Sequence, residues 1–151
     1  MDNGATVIRN GHAASLNVLG TRVQFLCESE QTGGAWSLME VLLPKGSGPP
    51  PHEHDWDEAY YVLAGDVSFT IGTENLAVSA GDFVYAPGHV VHGFQGTSVE
   101  PARVLIFDAP AHAGSFFKEL DRQVQSLPED LPKVPSIGAR HGVRFKVPGG
   151  V

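Results

Sequence analysis

In the stretch GSGPPPHEHDWDEAYYVLAG (residues 46–65), His52, His54 and Glu58 fall inside seven residues, and each of these side chains can bind a metal ion. Positions i and i+2 of an extended chain face the same way, so His52 and His54 project together, about 6.6 Å apart along a strand. Glu58 keeps the same parity, and Ala59 to Leu63 after it favour a strand. Pro49, Pro50 and Pro51 stiffen the approach and keep a helix from absorbing the two histidines. Two imidazoles and a carboxylate supply most of a coordination sphere. A fourth ligand must come from elsewhere. The stretch GDFVYAPGHVVHGFQG (residues 81–96) offers His89 and His92, which have opposite parity. His92 lies inside the apolar run VVHGF, whereas His89 follows the turn residues Pro87 and Gly88. The sequence therefore predicts His92 as the fourth ligand and His89 at the mouth of the pocket.

These residues carry a family resemblance. The first stretch resembles the opening motif of the cupins, a superfamily of small β-barrels: Gly46, five residues, His52-x-His54, three residues, Glu58, six residues, Gly65. The second resembles their closing motif through Gly81, Pro87 and His92, with two departures. His89 stands where the motif has glycine, and Gly96 where it has asparagine. Neither position is a ligand in the family, so the departures concern turn shape and pocket mouth. The flanks TGGAWSL and DFVYAPGHVVHGF, and the late ARHGVRF, resemble single-domain cupins of the quercetin-dioxygenase-like kind. The resemblance implies an all-β fold, a jelly-roll antiparallel β-barrel with a short C-terminal helix. It also implies a homodimer, joined by sheet extension through N-terminal strands, for which Leu16 to Glu28 are the candidates.

The predicted cofactor is one divalent transition metal. Three neutral imidazoles and a carboxylate leave a net charge near +1, and a six-coordinate ion would keep about two positions open. Imidazole-rich spheres suit Fe, Ni, Mn, Cu and Zn alike. A closed structural zinc site is usually rich in thiolate, and Cys27, the single cysteine, is remote from both motifs. A substrate with adjacent oxygens, an enol beside a carbonyl or a catechol, can chelate through the open positions. Glu58 is then the catalytic base, a role the likeness to flavonol-cleaving cupins suggests. Trp56, Tyr60, Phe69, Tyr85 and Phe94 are candidate walls of an apolar pocket. Glu40 has two readings: a pocket base among apolar residues, or a strand carboxylate paired with an arginine.

The elements that must position these groups follow from periodicity and turn residues. Strands are predicted at Leu16 to Leu19, Arg22 to Glu28, Ala35 to Leu43, Ala59 to Leu63, Asp66 to Ile71, Asn75 to Ser79, Phe83 to Ala86, Val90 to Gln95 and Ala102 to Asp108. A further short strand is expected near Thr6 to Ile8. Short strands at regular spacing, separated by glycine and proline turns, describe a sandwich or barrel. Phe116, Phe117, Leu120, Val124 and Leu127 then recur at helical spacing, with Ser115 as N-cap and Pro128 as terminator, followed by a helical turn near Ser136 to His141. The organisation expected is an arm (residues 1–14), a barrel (15–110) and a helix with tail packed on the barrel (111–151). His12, His112 and His141 are expected at the surface, and Cys27 as a buried, inert thiol.

A net charge of −7 without a Lys/Arg cluster argues against a nucleic-acid partner. No leader and no apolar run of about 18 residues is present, so the sequence predicts a cytoplasmic protein with no membrane partner. The function expected is a metal-dependent dioxygenase acting on an enol- or phenol-type small molecule, flavonol- or diketone-like. The alternatives are a non-oxidative isomerase or cyclase of the polyketide-cyclising kind, and a ligand-binding protein without turnover.

Overall fold

The computed structural model describes residues 4–146; the first three residues of the arm and residues 147–151 of the tail lie outside the described residues. The strands are β1 (Ser15–Val18), β2 (Thr21–Cys27), β3 (Ser37–Leu43), β4 (His52–Glu53), β5 (Asp57–Ala64), β6 (Asp66–Ile71), β7 (Glu74–Ser79), β8 (Phe83–Ala86), β9 (His92–Gly96), β10 (Ala102–Ala109) and β11 (Arg144–Phe145). Helices α1 (Ser29–Thr32), α2 (Ala113–Gln123) and α3 (Val134–Arg140) complete the chain, with a 3-10 turn at Leu131–Lys133. One sheet runs β1-β2-β3-β10-β5-β8 and the other β11-β4-β9-β6-β7. Neighbouring strands are antiparallel throughout, the jelly-roll architecture the sequence implies.

Alternation places the core between the sheets. On β3 the odd positions Ser37, Met39, Val41 and Leu43 are buried and the even ones are half-buried. Tyr60 and Val62 of β5, Val104 and Ile106 of β10, and Val67 and Phe69 of β6 meet them inside. Removing a side chain of this size from a close-packed interior typically costs 2–5 kcal/mol.

The helical layer differs from the prediction at its ends. α2 begins at Ala113 rather than after Ser115, because the buried Asp108 carboxylate at the end of β10 accepts the backbone N–H groups of His112 and Ala113 at 2.8 and 2.9 Å. Ser115 instead donates its hydroxyl to the His112 carbonyl inside the first turn. The helix stops at Gln123, short of Leu127, since Asp130 accepts the amides of Gln125 and Ser126 and turns the chain away. Asp108 also receives the Ser37 hydroxyl, so one side chain ties β3, β10 and α2 together. Asp108→Ala should destabilise the fold by about 2 kcal/mol in urea unfolding, the loss of a cap plus stranded donors.

Three further expectations need correction. Thr6 to Ile8 forms no strand. Cys27 is half-buried at the end of β2 rather than enclosed. The turn near Ser136 becomes the full helix α3, started by Pro135 in its first turn. The short strand β11, which no pattern of two residues can announce, pairs with β4 through Arg144 opposite Glu53 and Phe145 opposite His52.

Candidate metal centre

His52 on β4 lies opposite His92 on β9, and Glu58 enters from β5 on the facing sheet. His52, His54, Glu58 and His92 are all buried. Ring nitrogens of the three histidines lie within 4.8 Å of one another. Each Nδ1 faces a backbone carbonyl: His52 that of Pro50 at 2.8 Å, His54 that of Trp56 at 3.0 Å, His92 that of Val90 at 2.9 Å. A carbonyl only accepts, so each Nδ1 carries its proton and the neutral ring holds its lone pair on Nε2. Backbone carbonyls that fix the tautomer in this way are the usual outer partners of metal-binding histidines.

The Nε2 atoms are left without satisfaction. Those of His54 and His92 are buried and make no hydrogen bond. Glu58 Oε1 lies 3.0 Å from the first and Oε2 3.6 Å from the second, but the one is misaligned and the other too distant. Buried nitrogens without partners beside a buried carboxylate fit a cation. The donor set of His52, His54, His92 and Glu58 therefore suits one divalent transition metal.

Electrostatics agree. Burial pushes His52 down to about 4, with His92 adding to the effect, so His52 is neutral and able to donate its lone pair. Burial alone would raise Glu58, but His54 and His92 outweigh it and hold the carboxyl well below its usual range. Burial also lowers His92, and its contacts with Glu58 reverse this and leave it above its ordinary value. The buried carboxylate demands a positive partner, and a divalent cation held by the neutral rings would supply one.

Glu58 is aimed by two donors. Trp56 Nε1–H reaches Oε1 at 3.2 Å, and the Tyr60 hydroxyl donates to Oε2. Burial, with Glu58 adjacent, raises Tyr60 well above its usual value and keeps it a donor. The Trp56 indole stacks flat on His54 at 3.9 Å and fixes its ring plane.

Beside these groups lies a cavity of about 50 Å³, walled almost wholly by apolar side chains. Trp56 and Phe94 from the predicted pocket set line it, as do His52, His54 and Glu58. Its roof comes from the C-terminal segment through Phe116, Leu120, Val143 and Phe145, which the sequence did not nominate. Phe116 and Leu120 were legible as one face of a helix, but not as cavity walls. α2 and β11 thus supply part of the cavity wall.

The remaining candidates stand elsewhere. Glu40 is on the outer face of β3, where it accepts the Arg103 guanidinium at 2.6 Å; the arginine-paired reading applies, because inward positions of β3 are odd. Tyr85 is an outward, half-exposed residue of β8. Phe69 is fully buried among Tyr60 and Phe94, with ring centroids 4.9 and 5.3 Å away, so it is core and not pocket wall. His89 sits on the surface beside Asp55 at 3.4 Å and does not line the cavity. His112 lies 5.0 Å from the Trp56 ring, and His141 pairs with Glu119.

A second layer of charges braces the site. Arg144 of β11 binds Glu53 at 3.2 Å and Asp55 at 3.0 Å, the two acids flanking His54. Lys146 adds a contact to Glu53 at 3.1 Å, and its amide donates to Pro51 at 2.8 Å. Exposed ion pairs contribute little to stability alone. This one grips both neighbours of a ligand, so Arg144→Ala should weaken metal affinity by roughly three- to ten-fold in chelator competition, with the thermal midpoint nearly unchanged.

The chain matches the family model described as "Cupin domain" over residues 39–108. An uncharacterized protein of Streptomyces coelicolor is 34% identical over 91 residues, 60% of this chain and 81% of that one. The crystal structure of a predicted oxalate decarboxylase from Thermotoga maritima superposes with a TM-score of 0.63 at 22% identity, covering 70% of this chain and 99% of that chain. The polyketide cyclase RemF from Streptomyces resistomycificus superposes with a TM-score of 0.62 at 19% identity, covering 70% and 79%. The chain belongs to the cupin family. At such identities the two structures speak for the fold alone. Among the described residues, no helix is long and apolar enough to cross a membrane.

Proposed function

We propose that this cupin is a metal-dependent dioxygenase of a small, uncharged, enolisable molecule, nearer a β-diketone than a flavonol. The observation that carries the reading is the meeting of histidine Nε2 lone pairs and a buried carboxylate at the floor of an apolar, roofed cavity. A divalent ion bound there would polarise the enol oxygens and bring dioxygen alongside. Among the described residues no Lys or Arg lines the cavity, so none of them would neutralise a carboxylate- or phosphate-bearing substrate. Size narrows the class further. A cavity of roughly 150 Å³ takes benzene. One of about 50 Å³ is smaller still, so even acetylacetone, larger than benzene, needs the walls at Phe116 and Phe145 to yield, and a flavonol needs them to yield much further.

This chain's residues would act as follows. The apolar walls exclude water and select short aliphatic substituents. Glu58, aimed by Trp56 and Tyr60, takes the proton released when the enol ionises. Cleavage of one carbon–carbon bond delivers the four electrons that dioxygen needs, and both oxygen atoms enter the products, so no external reductant is required.

Metal analysis of protein purified without added metal or a histidine tag, paired with oxygen-electrode traces, tests the reading. Near-stoichiometric Fe, Ni, Mn or Cu with oxygen uptake on adding acetylacetone is expected. Bound zinc and substrate consumption without oxygen uptake would replace it with an isomerase or cyclase. Ligand recovered unchanged would leave a binding protein.

A further inference from the structure

The cavity beside the metal-facing donors holds only about 50 Å³, so a ligand of substrate size must displace one of its walls. Most of those walls are fixed. Val23, Val41 and Ile106 stand on β2, β3 and β10, which pair along most of their length in the larger sheet. Val18 and Thr21 belong to the hairpin of β1 and β2, closed by the Thr21 hydroxyl on the Val18 carbonyl at 2.6 Å. α2, which carries Phe116 and Leu120, is pinned in three places. Asp108 holds its start, Lys118 reaches Glu28 at 2.7 Å, and Asp121 accepts the Asn17 amide at 3.0 Å. The loop at Gly48 lies so close to β9 that an added Cβ would meet the Phe94 carbonyl oxygen at 2.0 Å.

The wall made by β11 is held differently. Val143 closes α3 by donating its amide to the Gly138 carbonyl at 2.8 Å, and α3 is tied to α2 where Glu119 takes Arg140 and His141. Beyond that fixed point, residues 144–146 are held by a two-residue pairing with β4 and by the Lys146 amide on the Pro51 carbonyl at 2.8 Å. Phe145 seats its ring 5.7 Å from that of His52 and 6.3 Å from that of Phe116. The ring also lies over Gly138, where an added Cβ would stand 2.9 Å from it. On the outside, Arg144 grips Glu53 and Asp55, and Lys146 grips Glu53, through contacts open to solvent.

We propose that residues 144–146 are the door through which a small uncharged ligand enters this cavity, with Phe145 as its bolt and Arg144 and Lys146 as a salt-sensitive latch. The door rests on the reading of the cavity as a ligand site, yet its motion needs neither metal nor dioxygen. A two-residue strand with no ladder beyond it belongs to the low-stability end of a fold and opens without global unfolding. Exposed ion pairs hold it weakly, and salt screens them. Phe145 also sets the size of what is admitted, because its ring fills space beside His52. Without that ring the cavity grows towards the roughly 150 Å³ that holds benzene.

A thiol on the cavity wall reads the door directly. Val23→Cys, on a Cys27→Ser background, replaces a 1%-exposed cavity residue by one of similar size, and serves as the parent. Methyl methanethiosulfonate, small and uncharged, reaches that thiol only when a wall opens, and mass spectrometry follows its labelling. Adding Arg144→Ala should speed labelling roughly three- to ten-fold, the effect of losing two exposed ion pairs. Raising salt from about 0.05 to about 0.5 M should give a similar gain in the parent and a smaller one in Arg144→Ala, where only Lys146 remains. Phe145→Ala should speed labelling by about 10- to 100-fold, the effect of losing a buried ring. Arg103→Ala, which breaks the Glu40 pair on the barrel face, should leave the rate unchanged. Labelling unmoved by Arg144→Ala and Phe145→Ala overturns the door, as does an equal gain from Arg103→Ala. Should Val23→Cys fail to fold, Val41→Cys on the adjoining strand carries the same probe. A chain that binds no metal but labels in this pattern keeps the door and loses the metal centre; bound metal with unmoved labelling does the reverse.

Discussion

His92→Ala should lower metal affinity by at least about 100-fold, and His52→Ala or His54→Ala by a similar factor, whereas His89→Ala should bind as wild type. The scale follows from outer partners of metal ligands, whose loss alone costs 10–100-fold; loss of a donor nitrogen must exceed that. The contrast between His92 and His89 is geometric. His92 stands on β9 opposite His52 and is almost fully buried, with its Nε2 short of a partner. His89 is three residues earlier, in the turn, with its imidazole in solvent beside Asp55. Chelator competition on the metal-free proteins gives the affinities, and thermal melts without metal separate loss of a ligand from loss of fold. Retention of metal by His92→Ala together with its loss in His89→Ala would reverse the assignment.

The donors were legible because their spacing is local. His-x-His needs only the two-residue period of an extended chain, and His92 follows from one parity argument against a turn. The departures from the family's closing motif are also physical. His89 keeps a left-handed backbone at φ 70°, the conformation a glycine would hold without strain, and its amide donates to the His54 carbonyl at 2.7 Å. The turn shape therefore survives the substitution and helps to hold a metal-binding loop. Gly96 stands where asparagine is usual because a Cβ there would lie 2.7 Å from the Leu43 carbonyl oxygen, so β9 can approach β3 only without a side chain. What the sequence could not reveal depends on long-range register. Whether Glu40 faces in or out is decided by the odd parity of Met39 and Val41, and either face of β3 reads as mixed. Phe69 and Phe94 both look like pocket aromatics, yet only Phe94 reaches the cavity. The roof was hidden for a different reason: β11 is two residues long, and its partner β4 is equally short. Neither carries a periodic signal, although their pairing seats Phe145 5.7 Å from the His52 ring.

Glu58→Gln should separate the two roles of this side chain. Glutamine is nearly isosteric and keeps an oxygen for the cation, but it loses the charge and cannot take a proton. Three imidazoles remain, so metal affinity should fall by no more than about 10- to 100-fold, and saturation with metal should restore occupancy. Turnover of the saturated variant should still fall by about 10²–10⁴-fold, the usual contribution of a positioned general base. Tyr60→Phe offers the graded comparison. It removes the hydroxyl that donates to Oε2 and leaves Trp56 holding Oε1, so it should lower turnover of the metal-saturated protein less, with a loss of metal affinity that saturation restores. The environment makes this test sharp. Glu58 is enclosed by His54, His92, Trp56 and Tyr60, and among the described residues no other carboxylate lines the cavity to take its place as base. Full turnover by metal-saturated Glu58→Gln would remove the carboxylate from the chemistry and make it a ligand alone. Turnover lost on metal-saturated protein, with oxygen uptake and substrate loss declining together, would join proton removal to the oxygen-consuming step at one side chain.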